Sequence, residues 1–201
     1  MPSETSGTVP IAAVVLAAGS STRMGENKLF LRVEGETLLS RVVSRASAAG
    51  LDPLIVVVGF ERERAEQELS GLPFSCRAVF NADHAEGQQT SFRAGIAAVP
   101  GASPAAVVLL ADMPRVTAGM VTALVERYRE TRAPLVVSDY GGVHAPPTLY
   151  DRSLFAEILA MSGDGCGRQI VRRHREDASA VAWPADRLAD VDVPADLAHA
   201  L

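Results

Sequence analysis

The sequence has few of the features that mark several classes of protein. It contains only two cysteines, Cys76 and Cys166, and they fit neither zinc-site spacing nor a disulfide framework. The 19 basic residues are outnumbered by 24 acidic ones, which argues against a general nucleic-acid-binding surface. No apolar run reaches the ~20 residues that a membrane-spanning helix needs. We therefore expect a cytoplasmic protein without a membrane or nucleic-acid partner.

The chain does have enough apolar residues for one sizeable core. It is 48% hydrophobic over 201 residues, which suits one domain of mixed class and is short for two. The first ten residues, MPSETSGTVP, are polar and have no basic segment, so residues 1–10 are predicted to be a disordered leader, not a signal peptide. Residues 11–201 are predicted to form a single domain.

Strand and helix patterns alternate along the chain. Apolar runs at residues 11–17, 54–58 and 106–110 predict strands that are buried on both faces. Helical spacing of apolar residues follows, for example over residues 118–131. This alternation predicts an α/β domain with a mostly parallel sheet covered by helices on both faces, and ligands bind beyond the carboxyl ends of such strands. Residues 141–147 are predicted to form a loop on the substrate side.

The first candidate site is the segment LAAGSSTRMGENK, residues 16–28. Its small residues let backbone N–H groups approach phosphate oxygens, while Arg23 offers a planar fork and Lys28 a compact charge. Its spacing matches neither the dinucleotide fingerprint nor the Walker loop. The segment predicts a phosphate-binding loop, and the alternative is an ordinary turn with two solvated basic residues.

Acidic residues follow two other predicted strands. Asp112 lies two residues after the end of the run at residues 106–110, where a carboxylate could hold Mg²⁺ together with phosphate oxygens; a turn or capping aspartate is the alternative. Asp190 and Asp192 lie one residue apart and face opposite ways on an extended chain. One of them could meet Asp112, although an acidic turn near a C-terminus is usually just solvated.

Five segments together resemble a known family. Residues 16–28 look like the LAAGxSxRMGxxK signature of the MobA-like nucleotidyltransferases, and residues 81–95, NADHAEGQQTSFRAG, resemble a block of the molybdenum cofactor cytidylyltransferase branch. The segments ADMP at 111–114, SGDGCGR at 162–168 and DVDVP at 190–194 resemble the family's [GA]DMP, GDxGxR and DxDTP. Val193 stands where the family usually has threonine. The blocks occur in family order over nearly the whole chain.

The resemblance implies a Rossmann-like three-layer fold of the nucleotide-diphospho-sugar transferase type. It also implies Mg²⁺-dependent transfer of a nucleotidyl group to the phosphate of molybdopterin, with release of pyrophosphate. Because that phosphate is already ionised, the reaction needs positioning and charge neutralisation more than a general base. The implied catalytic residues are Arg23, Lys28 and Asp112, and Asp112 and Asp192 would bind the metal. The implied nucleotide-binding residues are Leu16, Ala17, Ala18, Gly19, Arg23, Lys28, Asn81 and Ser91.

Three residues are predicted to bind the acceptor: His144, Asp164 and Arg168. His144 stands where the family usually reads G-x-P, and a helix-capping Asp164 with a surface Arg168 is the alternative. Ser91 could likewise be a helix cap. Cys166 is interpreted as a small packing residue, and His84, His174 and His199 as surface histidines without a role.

Ala18 suggests which nucleotide is used, because the cytidylyl branch has alanine where a second glycine would widen the base pocket. We therefore expect CTP, with a molybdenum hydroxylase as a possible recipient of the product. The alternatives are a guanylyltransferase, or a nucleotidyltransferase acting on a sugar-phosphate, methylerythritol-phosphate or phospholactate acceptor. A chaperone that binds the molybdenum cofactor without catalysis is another. A glycosyltransferase ranks last, since its DxD motif would be expected in mid-chain.

Overall fold

The computed structural model describes residues 9–20, 27–163 and 165–188. Three predicted site residues, Arg23, Asp164 and Asp192, lie outside the described residues, as do residues 1–8 of the predicted leader. The strands are β1 (Ala12–Ala17), β2 (Arg32–Val33), β3 (Glu36–Thr37), β4 (Leu54–Val58), β5 (Arg77–Phe80), β6 (Ala105–Leu110), β7 (Leu135–Tyr140), β8 (His144–Asp151) and β9 (Ala178–Trp183). The helices are α1 (Leu38–Ala48), α2 (Arg62–Ser70), α3 (Gln88–Ala97), α4 (Ala118–Thr131), α5 (Phe155–Ala160) and α6 (Cys166–Arg173).

Seven of these strands form one sheet in the order β5-β4-β1-β6-β8-β7-β9, and β2 and β3 form a small hairpin. The central strand β1 pairs in parallel with β4 and β6, and β5 and β9 also pair in parallel with their neighbours. Within this sheet, β8 alone runs antiparallel to both strands beside it. The predicted mostly parallel sheet is confirmed. The carboxyl ends of β1, β4, β5 and β6 therefore lie together at one edge.

The apolar strands are buried on both faces because each face carries its own layer of helices. Alternate residues of β1, such as Val15 and Ala17, belong to a core shared with α1, α2 and α4. The intervening residues, such as Val14, belong to a second core shared with α3, α5 and α6. Successive side chains of a strand point to opposite faces of the sheet, so each strand contributes to both cores. Every position along these strands is therefore apolar.

The predicted loop at residues 141–147 is wrong, because β8 begins at His144. The two prolines that suggested a loop, Pro146 and Pro147, fall where the ladder between β7 and β8 shifts register. Proline cannot donate a backbone hydrogen bond, and an interrupted ladder does not require one. Their carbonyl oxygens accept hydrogen bonds from side chains. Ser138 Oγ donates to the carbonyl of Pro147 at 2.7 Å, and Tyr140 Oη donates to that of Pro146 at 3.0 Å.

Gly95 allows α3 to pack closely on the sheet. A Cβ atom at this position would lie 2.3 Å from Val14 Cγ1 and 3.0 Å from Val57 Cγ2. We expect Gly95→Ala to lower the free energy of unfolding by about 1–3 kcal/mol through overpacking. Gly119→Ala on α4 is the control, since the nearest atom to its new Cβ would be 3.8 Å away, and it should be neutral or stabilise by up to about 1 kcal/mol. Urea unfolding measures both, and equal effects would contradict the packing argument.

Candidate functional site

A cleft of about 340 Å³ opens at the carboxyl edge of the sheet. Four segments form its walls: the end of β1, the short 3-10 helix Lys28–Phe30, the connection between β5 and α3, and the end of β6. Seven of the predicted site residues line it together: Leu16, Ala17, Ala18, Gly19, Lys28, Ser91 and Asp112. The residues selected from their motifs therefore lie at the carboxyl ends of the strands, where the fold predicts a ligand.

Lys28 and Asp112 face each other across this cleft. Lys28 Nζ lies 2.7 Å from Asp112 Oδ2, and the two side chains are 15% and 24% exposed. Asn27 fixes the start of the helix that carries Lys28, because its Oδ1 accepts a hydrogen bond from the backbone N–H of Leu29 at 3.2 Å. The cleft thus presents an ammonium group suited to phosphate oxygens beside a carboxylate suited to a cation.

The turn that carries Asp112 is fixed on both sides. Met113 is buried in the core, and the backbone N–H of Ala111 donates to the carbonyl of Leu16 at 3.1 Å. Arg41 Nε on α1 donates to the carbonyl of Pro114 at 3.3 Å. Asp112 is therefore held at a defined distance from the end of β1.

Asn81 organises the wall between β5 and α3. It is buried, and its Nδ2 donates to Thr90 Oγ1 at 2.8 Å and to Ser91 Oγ at 3.0 Å, while its Oδ1 accepts from the backbone N–H of Asp83 at 3.1 Å. Asn81 does not itself line the cleft. Ser91 does line it, and since α3 begins at Gln88 with Gly87 as its N-cap residue, Ser91 is not the helix cap. Direct contact of Asn81 and Ser91 with a nucleotide remains a prediction.

The same wall contains residues that the sequence analysis did not select. His84, Ala85, Gly87 and Gln88 line the cleft, although His84 had been interpreted as a surface histidine. Gly87 has a φ of 119°, which favours glycine and lets the chain turn into α3. Their position inside the block at residues 81–95 was the available signal, because that block was already taken as part of the site.

Two of the predicted acceptor residues, His144 and Arg168, do not line the cleft. His144 is exposed at the start of β8, opposite Asp139 of β7. Arg168 is exposed in the first turn of α6. Cys166 is 1% exposed and its Sγ lies 3.2 Å from the carbonyl oxygen of Gly163, which agrees with a packing role.

In residues 9–20, 27–163 and 165–188, no three His, Cys, Asp or Glu side chains are grouped as a metal site. A metal at Asp112 would therefore draw other ligands from a bound molecule or from elsewhere in the chain. No helix in the same ranges is long and apolar enough to cross a bilayer.

Comparisons with known proteins show the family to which the chain is similar. A family model described as MobA-like NTP transferase domain matches residues 13–178. Purine catabolism protein PucB of Bacillus subtilis is 32% identical over 196 residues, covering 92% of each chain. A probable molybdenum cofactor guanylyltransferase of Opitutus terrae is 36% identical over 128 residues, covering 63% of this chain and 59% of that protein. Bifunctional protein GlmU of Pelotomaculum thermopropionicum is 32% identical over 180 residues, and the chain spans only 35% of its length.

Solved structures of other proteins have the same fold as this chain. Rv0371c of Mycobacterium tuberculosis matches with a TM-score of 0.82 at 25% identity, covering 96% of this chain and 98% of that one. A structure of Rv0371c in complex with manganese matches with a TM-score of 0.75 at 24% identity over the same shares.

Proposed function

Because the chain belongs to the MobA-like NTP transferase family and is a nucleotidyltransferase of that type, we propose that it transfers CMP from CTP to the phosphate of molybdopterin. Its fold is the Rossmann-like three-layer arrangement of nucleotide-diphospho-sugar transferases. The observation that carries the proposal is the Lys28–Asp112 pair, 2.7 Å apart in a cleft that small residues also line. That cleft combines a site for a triphosphate with a site for its metal ion.

The reaction requires little proton transfer. An oxygen of the acceptor phosphate attacks the α-phosphorus of CTP, a new P–O bond forms, and the bond to the β-phosphate breaks to release pyrophosphate. Lys28 binds and neutralises phosphate oxygens, and the backbone from Ala17 to Gly19 holds the ribose and base. Arg23, outside the described residues, is proposed to hold the triphosphate with Lys28. Preorganised charge of this kind suits phosphoryl-type transfer.

The residues of the cleft fit a divalent cation, which we propose to be Mg²⁺. Asp112 is a partly exposed carboxylate at a strand end, and Mg²⁺ is usually bound by one or two carboxylates together with substrate phosphates. Rv0371c, which has this fold, has a structure in complex with manganese, and this supports a divalent ion as the cofactor. When bound, the ion would neutralise charge on the α-phosphate and on the leaving pyrophosphate. Asp192 is the proposed second carboxylate ligand.

The composition of the chain supports the role of Lys28. It is the only lysine among 19 basic residues, the others being arginine. A lysine ammonium is a compact charge with three rotatable donors, whereas an arginine guanidinium is a wide planar fork. The Lys28 ammonium lies 2.7 Å from the Asp112 carboxylate. An arginine guanidinium at this position would be larger and would extend further into the cleft.

CTP is proposed over GTP because Ala18 narrows the cleft. Ala18 and Ala17 are both buried, but Ala18 belongs to the core on the α3 face and Ala17 to the core on the opposite face. We expect the wild type to bind CTP at least about tenfold more tightly than GTP and Ala18→Gly to lose most of that ratio. Ala17→Gly has the same backbone effect and should keep the ratio. Isothermal titration with Mg²⁺ measures all three proteins.

Tighter binding of GTP by the wild type would contradict the cytidylyl assignment. It would favour guanylyl transfer, the activity that names the Opitutus terrae relative. A sugar-phosphate acceptor, one of the alternatives that the sequence leaves open, is the second candidate. Release of pyrophosphate from CTP with molybdopterin, and not with sugar phosphates, is the result that supports the proposed acceptor. His144, Asp164 and Arg168 remain the proposed acceptor contacts, and a molybdenum hydroxylase the proposed recipient of the product.

A further inference from the structure

The side chain of His84 occupies space that Gly59 leaves open at the end of β4. A Cβ atom placed on Gly59 would lie 2.6 Å from both Cβ and Cγ of His84 and 2.9 Å from Cβ of Ala18. Separations below about 3.0 Å do not occur between such atoms, so no side chain fits there while His84 and Ala18 keep their positions. The absence of a side chain at Gly59 thus allows His84 to lie beside Ala18.

The backbone around His84 is fixed by hydrogen bonds. The carbonyl of Asp83 accepts from Thr90 Oγ1 at 2.9 Å and from the backbone N–H of Glu86 at 2.9 Å. Asn81 Oδ1 accepts from the backbone N–H of Asp83. A side chain carried by so constrained a segment has a defined position, which is a requirement for reading the shape of a ligand.

The imidazole of His84 is available to a ligand. His84 is partly buried and lines the cleft, as Ala18 does. Its ring nitrogens form no hydrogen bond to any other residue in the ranges that the structure describes. A neutral imidazole carries one N–H donor and one nitrogen acceptor, so the ring offers both a flat wall and a polar edge to whatever lies beside Ala18.

We propose that His84 is a specificity-determining residue, whose ring forms a wall of the base pocket beside Ala18 and limits that pocket to a single-ring pyrimidine. The inference rests on the proposed function in one respect, namely that the cleft binds an NTP with its base near Ala18. The ring limits the width of the pocket, and its polar edge hydrogen-bonds the edge of the base. Removal of the ring therefore admits purines, whereas loss of the nitrogens alone weakens binding without changing size selection.

The test compares Kd for CTP and GTP by titration calorimetry with Mg²⁺ and without any acceptor. His84→Ala should reduce the CTP preference by about tenfold. His84→Phe should keep most of the preference while weakening CTP binding by about threefold to tenfold, because the ring remains and a hydrogen bond is lost. His174→Ala is the matched control, since His174 pairs with Glu157 at 2.7 Å and does not line the cleft; its ratio should equal that of the wild type.

Gly59→Ala provides an independent test because it keeps the imidazole but displaces it. It should lower the CTP preference in the same direction as His84→Ala, and thermal unfolding establishes that each variant is folded. An unchanged ratio in folded His84→Ala, or a wild type with no preference for CTP, overturns the role of His84. A wild type that prefers CTP but fails to modify molybdopterin refutes the proposed acceptor alone, and the ratios still decide the role of His84.

Discussion

Asp112→Asn should lower turnover by about 10³-fold or more while the protein stays folded. The substitution keeps the size of the side chain and removes the charge that would hold the divalent ion. Its effect on stability should be small, about 1 kcal/mol or less, because the Lys28–Asp112 pair is partly exposed and screened by solvent. Pyrophosphate release at saturating CTP and Mg²⁺ measures turnover, and direct binding of Mn²⁺ measures the loss of the metal site.

Asp177→Asn is the control for this prediction. Asp177 is exposed between α6 and β9 and does not line the cleft, so the same chemical change there should leave both turnover and Mn²⁺ binding unaltered. Wild-type turnover in Asp112→Asn at saturating Mg²⁺ would refute the metal-binding role of Asp112.

Lys28→Ala should lower turnover by about 10²–10³-fold, the usual effect of removing one preorganised group that stabilises developing charge. Lys28→Arg should restore little of this, because a guanidinium does not reproduce the position of the ammonium beside Asp112. Lys28 is the only lysine in the chain. Isotopic methylation of amines therefore gives one side-chain NMR signal besides that of the α-amino group, and this signal should shift when nucleotide binds.

Removal of Lys28 should affect metal binding and turnover in different ways. Lys28 Nζ lies against Asp112 Oδ2, so its positive charge opposes a second cation on the same carboxylate. Without nucleotide, Lys28→Ala should bind Mn²⁺ at least as tightly as the wild type although it turns over slowly. Weaker Mn²⁺ binding in Lys28→Ala would contradict the proposed division of roles, and Arg127→Ala on the exposed face of α4 should change neither property.

The parallel part of the sheet was predictable because its physical cause is local. A strand buried on both faces must be apolar along its whole length, and β1, β4 and β6 meet that condition. The hairpin between β7 and β8 was not predictable in the same way. Pro146 and Pro147 normally argue against a central strand, and only the register shift against β7, a property of two paired strands, makes them acceptable.

The site was predictable to a similar extent. Lys28 and Asp112 were each identified from their position after an apolar strand and from a family motif, but their separation of 2.7 Å depends on how β1 and β6 pair. His84 was missed because its polar segment does not distinguish it from a surface histidine, and only its place in the block at residues 81–95 connected it with the site. Its side chain lies against Gly59, which is distant in the sequence and has no side chain to exclude it. The pattern of apolar residues in the sequence does not predict this contact.

The reversed direction of β8 divides the sheet into two parts. On one side of it lie the strands whose ends form the cleft, and on the other lie β7 and β9. Because β8 runs back from the carboxyl edge, the turn at residues 141–143 projects at that edge without belonging to a strand that positions Lys28 or Asp112. A change in the length of this turn would therefore leave the strands that position Lys28 and Asp112 in place.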